Sequence, residues 1–261
     1  MRALAITLLA ACGTNLTPEP EPVSPVASCV PNRDGTITPD ELPIALGVTA
    51  DYYTNTDRPV VLAGTDAWSF TEERPDDTVI ALGPVALGAQ WYAATFPTGQ
   101  FVVDAGGGLD GIYHQDDQAL FLDGTASQDP APATRTLIRY TLPVAVLRFP
   151  IADGDSYGTL AAIPDGIVSG LPFIGTDQVD VEVIGEGRVD LPYVRFSPVL
   201  RIRTHVVRKP STGTPVVGRR STIFLFECFG EVARAESKPD ETNPDFTTAA
   251  YLRRFALGVK P

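Results

Sequence analysis

The 261-residue chain is poor in the side chains from which most catalytic sites are built: two His, one Met, two Trp and three Cys. With two imidazoles, the usual acid–base and metal chemistry is short of parts. Cations are in the minority, Lys+Arg 20 against Asp+Glu 32, for a net charge of −12. Such an acidic chain lacks the basic footprint of a nucleic-acid binder. No apolar run reaches the length of about 18 residues that a membrane-spanning helix requires. There is no P-loop, no C-x-x-C, and no G-x-G-x-x-G that opens a helix, so the sequence predicts no cofactor.

Breakers are abundant. The 23 Gly and 24 Pro make up 47 of the 261 residues, a density that a run of long helices does not tolerate. Apolar residues at 44% and charged residues at 20% describe a globular chain rather than a disordered one.

The first residues read as an export leader. Arg2 is a minimal positive region, and Ala3-Leu4-Ala5-Ile6-Thr7-Leu8-Leu9 a short apolar one. Leu9-Ala10-Ala11-Cys12 then resembles the lipobox of bacterial lipoproteins: an aliphatic residue, two small residues, cysteine. The resemblance implies removal of residues 1–11, a diacylglycerol on the Cys12 sulfur and an acylated new amino group. Gly13 stands where an Asp would retain an enteric lipoprotein at the inner membrane, which points to the outer membrane. An ordinary secretory leader with Cys12 left free is the alternative.

Residues 12–28 follow as a tether. Pro18, Pro20, Pro22 and Pro25 alternate with Glu19 and Glu21 and favour extended polyproline II. At about 3.1 Å per residue, residues 14–28 reach roughly 45 Å. Loss of Arg2 with the leader takes the charge from −12 to −13, so an anionic bilayer would repel what the lipid holds near it.

Beyond Cys12, two cysteines remain, Cys29 and Cys228. In an oxidising compartment a disulfide is the simple reading; two separate thiols, one of them buried, is the other.

Residues 29–261 read as one mainly β domain: an antiparallel sheet forming a curved half-barrel or a sandwich, with a C-terminal helix. Asp-Gly, a hairpin signal, occurs at 34–35, 110–111, 123–124, 153–154 and 165–166. Val179-Asp180-Val181-Glu182-Val183 alternates most clearly. Leu200, Ile202, Thr204 and Val206 alternate with Arg201, Arg203 and His205, and residues 222–226 are apolar on both faces. The three segments predict a meander in which acids of one strand oppose arginines of the next. Shorter strands are expected at 87–95, 100–105, 111–114, 119–122, 137–142 and 144–149. The helix is expected at 246–257, capped by Asp245, with Phe246, Ala249, Ala250, Leu252 and Phe255 as its stripe and Gly258 as its stop.

Four motifs could carry chemistry. Asn32, Asp34, Gly35, Ile37 and Glu41 resemble part of an EF-hand loop, although Val30 takes the first ligand position. The same letters read as a turn followed by a capping box, Thr38-Pro39-Asp40-Glu41. Gly154-Asp155-Ser156-Tyr157-Gly158 matches the hydrolase elbow, but Pro164 leaves no room for the helix that must follow it, and the downstream base, His205, sits on a polar strand face. His114 with Asp116 and Asp117 reads as a polar hairpin tip rather than a metal site. The run 104–111 resembles one calcium β-roll repeat without its stacked neighbours, and reads as a turn.

Two functions follow from different classes. The first is a lipid-anchored envelope protein acting as a non-catalytic binding or structural module, with a membrane, a hydrophobic ligand or an envelope protein as partner. In architecture this resembles the half-barrel lipoprotein carriers and chaperones, which implies a sheltered apolar ligand. The second is an envelope serine hydrolase using Ser156.

Overall fold

A computed structural model describes residues 29–64, 66–212 and 217–258. The leader, Cys12 and the tether lie outside the described residues. The strands, in chain order, are β1 (Thr36–Ile37), β2 (Ala50–Pro59), β3 (Ala67–Ser69), β4 (Thr78–Leu82), β5 (Val85–Ala86), β6 (Phe101–Gly106), β7 (Leu109–Gln115) and β8 (Ala119–Ser127). Then come β9 (Leu137–Arg148), β10 (Ile151–Ala152), β11 (Ser156–Val168), β12 (Leu171–Leu191), β13 (Val194–Pro210), β14 (Val217–Phe226), β15 (Gly230–Glu236) and β16 (Thr248–Phe255). Among the described residues, the helical elements are three short 3-10 turns: Pro39–Glu41, Leu87–Ala89 and Ala93–Thr95.

Fourteen strands form one sheet, with the path β4-β2-β16-β15-β14-β13-β12-β11-β9-β8-β7-β6-β5. Neighbours along the path are antiparallel; β3 adds to β12 in parallel, and β1 with β10 makes a separate pair. The meander expected from the alternation is β12-β13-β14. Val181 lies opposite Thr204, and Glu182 opposite Arg203, so apolar and charged residues sort onto opposite faces. Val179, Val181, Val183 and Ile202 join Ala161, Ile163, Ile138 and Val144 in one buried cluster, which Ile37, Leu42 and Ile151 cover. A second cluster gathers Trp68, Phe70, Phe224, Val232, Ala235 and Leu252.

Burial in this sheet is not confined to apolar groups. The Glu231 carboxylate accepts from Arg234 Nε at 2.8 Å and from Arg253 Nε at 2.9 Å. Burial alone would raise its pKa, but the two guanidinium groups outweigh that and hold it at about 2. Asp177, fully buried, accepts from Arg208 Nε at 2.8 Å and from the Tyr140 hydroxyl at 2.6 Å.

Cys29 and Cys228 form a disulfide, with Cα atoms 5.6 Å apart. The first described residue is thereby fixed to the β14–β15 turn. The Cys228 N–H donates to the Glu41 carbonyl at 2.7 Å, and the Arg33 N–H to the Glu227 carboxylate at 2.9 Å.

Three expectations are corrected. No C-terminal helix forms; residues 248–255 are β16. Asp245 does not cap a helix, because Arg201 and Arg203 both bind its Oδ1. Arg254 is buried against Asp77 at 2.7 Å and the Phe70 carbonyl at 3.1 Å, while Arg253 faces Glu231. The two arginines therefore serve opposite faces of a strand, a division that a single helical stripe cannot provide. Residues 87–95 are two 3-10 turns and not a strand, because Leu87, Tyr92 and Phe96 together fill a third cluster with Ile112. Finally, Asp-Gly at 110–111, 123–124 and 165–166 lies within strands. A Cβ on Gly124 would stand 2.0 Å from the Ile138 carbonyl oxygen of the neighbouring strand, so close packing, not turning, requires that glycine.

Two outcomes are expected. Unfolding by denaturant should be easier for the reduced protein, by up to ~5 kcal/mol on chain entropy for a loop of about 200 residues; equal stability in both redox states contradicts a structural disulfide. Glu231→Ala should cost about 3–5 kcal/mol, because Arg253 loses its carboxylate partner and Arg234 keeps only the more distant Glu236, at 3.6 Å. Since Glu231 has its pKa lowered from 4.5 to about 2 on folding, its contribution is complete above pH 4.5 and lost as pH falls through about 2. A pH series of denaturant melts should show a smaller loss over that window for Glu231→Gln than for the natural chain.

Candidate functional site

The charged face of the meander is where most of the remaining polar chemistry meets. Register places Ser156, Glu182 and Arg203 in one row across β11, β12 and β13. The next row on that face is Gly158, Asp180, His205 and Arg220, across β11 to β14. These residues line an open groove of about 380 Å³, rimmed by Pro244. Gly158 keeps its floor low: a Cβ there would stand 2.7 Å from Asp180 Oδ1. Gln178 Nε2 holds that same oxygen at 2.7 Å.

The β15–β16 loop, which brings Pro244 to the groove, is latched to the sheet. Asp240 N–H donates to the Gly218 carbonyl at 2.8 Å, and Gly218 N–H to Asp240 Oδ1 at 2.9 Å. Arg220 Nε donates to the Glu241 carbonyl at 2.9 Å, and Ser237 N–H to the Arg220 carbonyl at 2.9 Å. Asp245 joins Arg201 and Arg203 at the same edge. Burial first, and then the positive charge of Arg220, hold His205 below its ordinary pKa of 6.5, against the pull of Asp180. His205 is therefore neutral at pH 7.

Ser156 is exposed and is the first residue of β11, with the Asp153-Gly154 turn before it and a 13-residue strand in place of the helix an elbow requires. It lies two strands and two residues from His205. On a strand spacing of about 4.8 Å that is roughly 10 Å or more, whereas a proton relay operates at about 3.2 Å. The groove thus brings Ser156 and His205 to one surface without bringing them into contact.

The remaining candidates engage their own surroundings. Asp34 Oδ1 accepts from the Thr36 N–H at 2.9 Å and its hydroxyl at 2.7 Å, and Asn32 Oδ1 accepts from the Asp34 N–H at 2.8 Å. Glu41 Oε2 accepts from the Thr38 N–H at 2.9 Å, so the capping box forms, on a single 3-10 turn. Among the described residues, no three His, Cys, Asp or Glu side chains converge as a metal site would require. Asp116 Oδ1 closes the β7–β8 turn by accepting from Gln118 N–H at 2.8 Å and Ala119 N–H at 3.0 Å.

One pair escaped the sequence reading. His114 Nδ1 lies 2.7 Å from Asp123 Oδ2, Thr98 donates to Asp123 Oδ1 at 2.8 Å, and the imidazole stacks on Phe121 at 4.7 Å. A β-bulge between Leu122 and Gly124 sets Asp123 beside His114, and nothing in the residue spacing announces a bulge. No known protein family, curated protein or solved structure matches the chain.

Ser156→Ala should change stability by no more than about 0.5 kcal/mol, as an exposed site does, and a serine-directed fluorophosphonate should label neither protein. Labelling of the natural chain but not of Ser156→Ala would make Ser156 a nucleophile.

Proposed function

We propose that the chain is a lipid-anchored lipoprotein of the bacterial cell envelope, held at the outer membrane through Cys12, and that its β domain is a non-catalytic binding or structural module. Leu9-Ala10-Ala11-Cys12 at the end of an apolar leader, followed by a Pro/Glu tether, supports the anchor. The disulfide suits an oxidising compartment beyond the inner membrane.

The single observation carrying the binding reading is the groove on β11–β14. It collects acids, a neutral imidazole and a guanidinium on a latched surface, while its serine and its imidazole stand apart. Preformed polar groups on a rigid scaffold orient a ligand; catalysis needs a base in contact with what it deprotonates. A curved half-barrel is the reading of the sheet's shape, supported by β4 and β5, which stand at opposite ends of the strand path with only residues 83 and 84 between them. The clusters lining the sheet are filled by the chain's own side chains. A hydrophobic ligand would therefore meet the exposed Leu142, Leu160 and Ile174 on the outside.

Mass spectrometry of the mature N-terminus should find Cys12 as the first residue, carrying diacylglycerol and an amide-linked acyl chain. Cys12→Ala should move the protein out of the membrane fraction. An unmodified Cys12, or a membrane fraction unchanged by Cys12→Ala, overturns the anchor.

A further inference from the structure

The charges of the groove are sorted by strand. Both acids, Asp180 and Glu182, project from β12, and the cations, Arg203 and Arg220, come from β13 and β14. Arg203 is committed to Asp245. Arg220 is held through Nε alone, by the Glu241 carbonyl. Its two terminal amino groups have no hydrogen-bond partner among the described residues, and neither has the Glu182 carboxylate, although Glu182 and Arg203 are direct cross-strand neighbours. An unengaged carboxylate and an unengaged guanidinium fork thus stand at opposite sides of one groove, with neutral His205 between them.

From this we infer that the groove binds a linear zwitterion of about tripeptide length, a short peptide lying across the strands with its amino end at Asp180 and Glu182 and its carboxylate on Arg220. This rests on the binding reading above and names its ligand class. Asp180 and Arg220 are separated by two strand spacings, roughly 10 Å, and three extended residues at 3.3–3.6 Å each span about the same distance. A free amino acid is too short to reach both ends. The planar fork of Arg220 suits bidentate recognition of a carboxylate, and its Nε anchor fixes the plane in advance. Neutral His205 keeps one ring nitrogen as donor and one as acceptor, which matches the alternating N–H and C=O groups of a peptide backbone. The groove volume, about 380 Å³, falls at the small end of ligand sites, whose range is about 300–1,000 Å³.

The test titrates the full-length protein, by calorimetry, with trialanine, N-acetyl-trialanine, trialanine amide and inorganic phosphate. Trialanine should bind saturably, and each cap should weaken it by about tenfold or more, the worth of one charged hydrogen-bonded contact. Arg220→Gln should weaken trialanine to the level of its amide and leave the amide unaffected. Glu182→Gln should do the same with respect to the acetylated peptide. The capped peptides report on the natural chain, so a variant that fails to fold does not decide the matter.

Absence of saturable trialanine binding, equal binding of capped and free peptides, or phosphate competing as well as trialanine each overturns the ligand class; the last would make Arg220 a simple anion site. Hydrolysis of trialanine abolished by Ser156→Ala would instead overturn the non-catalytic reading while leaving the ligand class standing.

Discussion

A wide antiparallel sheet has two edges, each a row of unpaired N–H and C=O groups, and the rest of this structure follows from how they are handled. Both are made by one short stretch. β4 pairs with β2 at one end of the path and β5 pairs with β6 at the other, yet only residues 83 and 84 separate β4 from β5. The two ends of that thirteen-strand path are therefore tied to each other by a two-residue link. The Gly47 N–H donates to the Pro84 carbonyl at 2.8 Å, tying the corner to the loop that enters β2.

The sheet buries strand positions that its sequence leaves charged. Acids and arginines meet this with mutual pairing: Glu231 with Arg234 and Arg253, Asp177 with Arg208, Asp77 with Arg254, Asp245 with Arg201 and Arg203. Such pairs add little net stability over an apolar core, but each strongly disfavours a register that would separate its members. In β12, a one-residue slip would turn Val179, Val181 and Val183 outward and Asp180 and Glu182 inward. The outer groove holds one such pair, Arg203 with Asp245, but among the described residues it leaves Glu182 and the terminal amino groups of Arg220 without hydrogen-bond partners.

The central meander was legible because β12 and β13 each carry one apolar and one charged face, the pattern that period-two reading detects well, and residues 222–226 follow as a short apolar run. The disulfide followed from a count of cysteines. The C-terminal helix was misread because Phe246, Ala249, Leu252 and Phe255 fit a helical stripe, while the decisive facts are remote: Arg254 bonds carbonyls at Phe70 and Glu72, and Asp245 is taken by β13. The mid-strand Asp-Gly pairs failed for a related reason. Asp110 accepts the Tyr92 hydroxyl at 2.5 Å and Asp123 holds His114, so these residues were chosen for tertiary partners that a local turn rule does not see. Of the groove, Ser156, His205 and the acids Asp180 and Glu182 facing the Arg203 strand were visible in the sequence; Arg220 and Pro244 joined them only through strand register and the β15–β16 loop.

Binding requires the groove to be formed before any ligand arrives, since an unlatched β15–β16 loop would leave Arg220 free and the charges unpositioned. Amide hydrogen exchange of the ligand-free protein measures this directly. The Ser237 and Asp240 N–H groups, which donate to the Arg220 and Gly218 carbonyls, should be protected to the same degree as the amides of β13 and β14. Exchange at the rate of an open loop at those two positions, with β13 and β14 still protected, would contradict a preformed site and the binding function built on it.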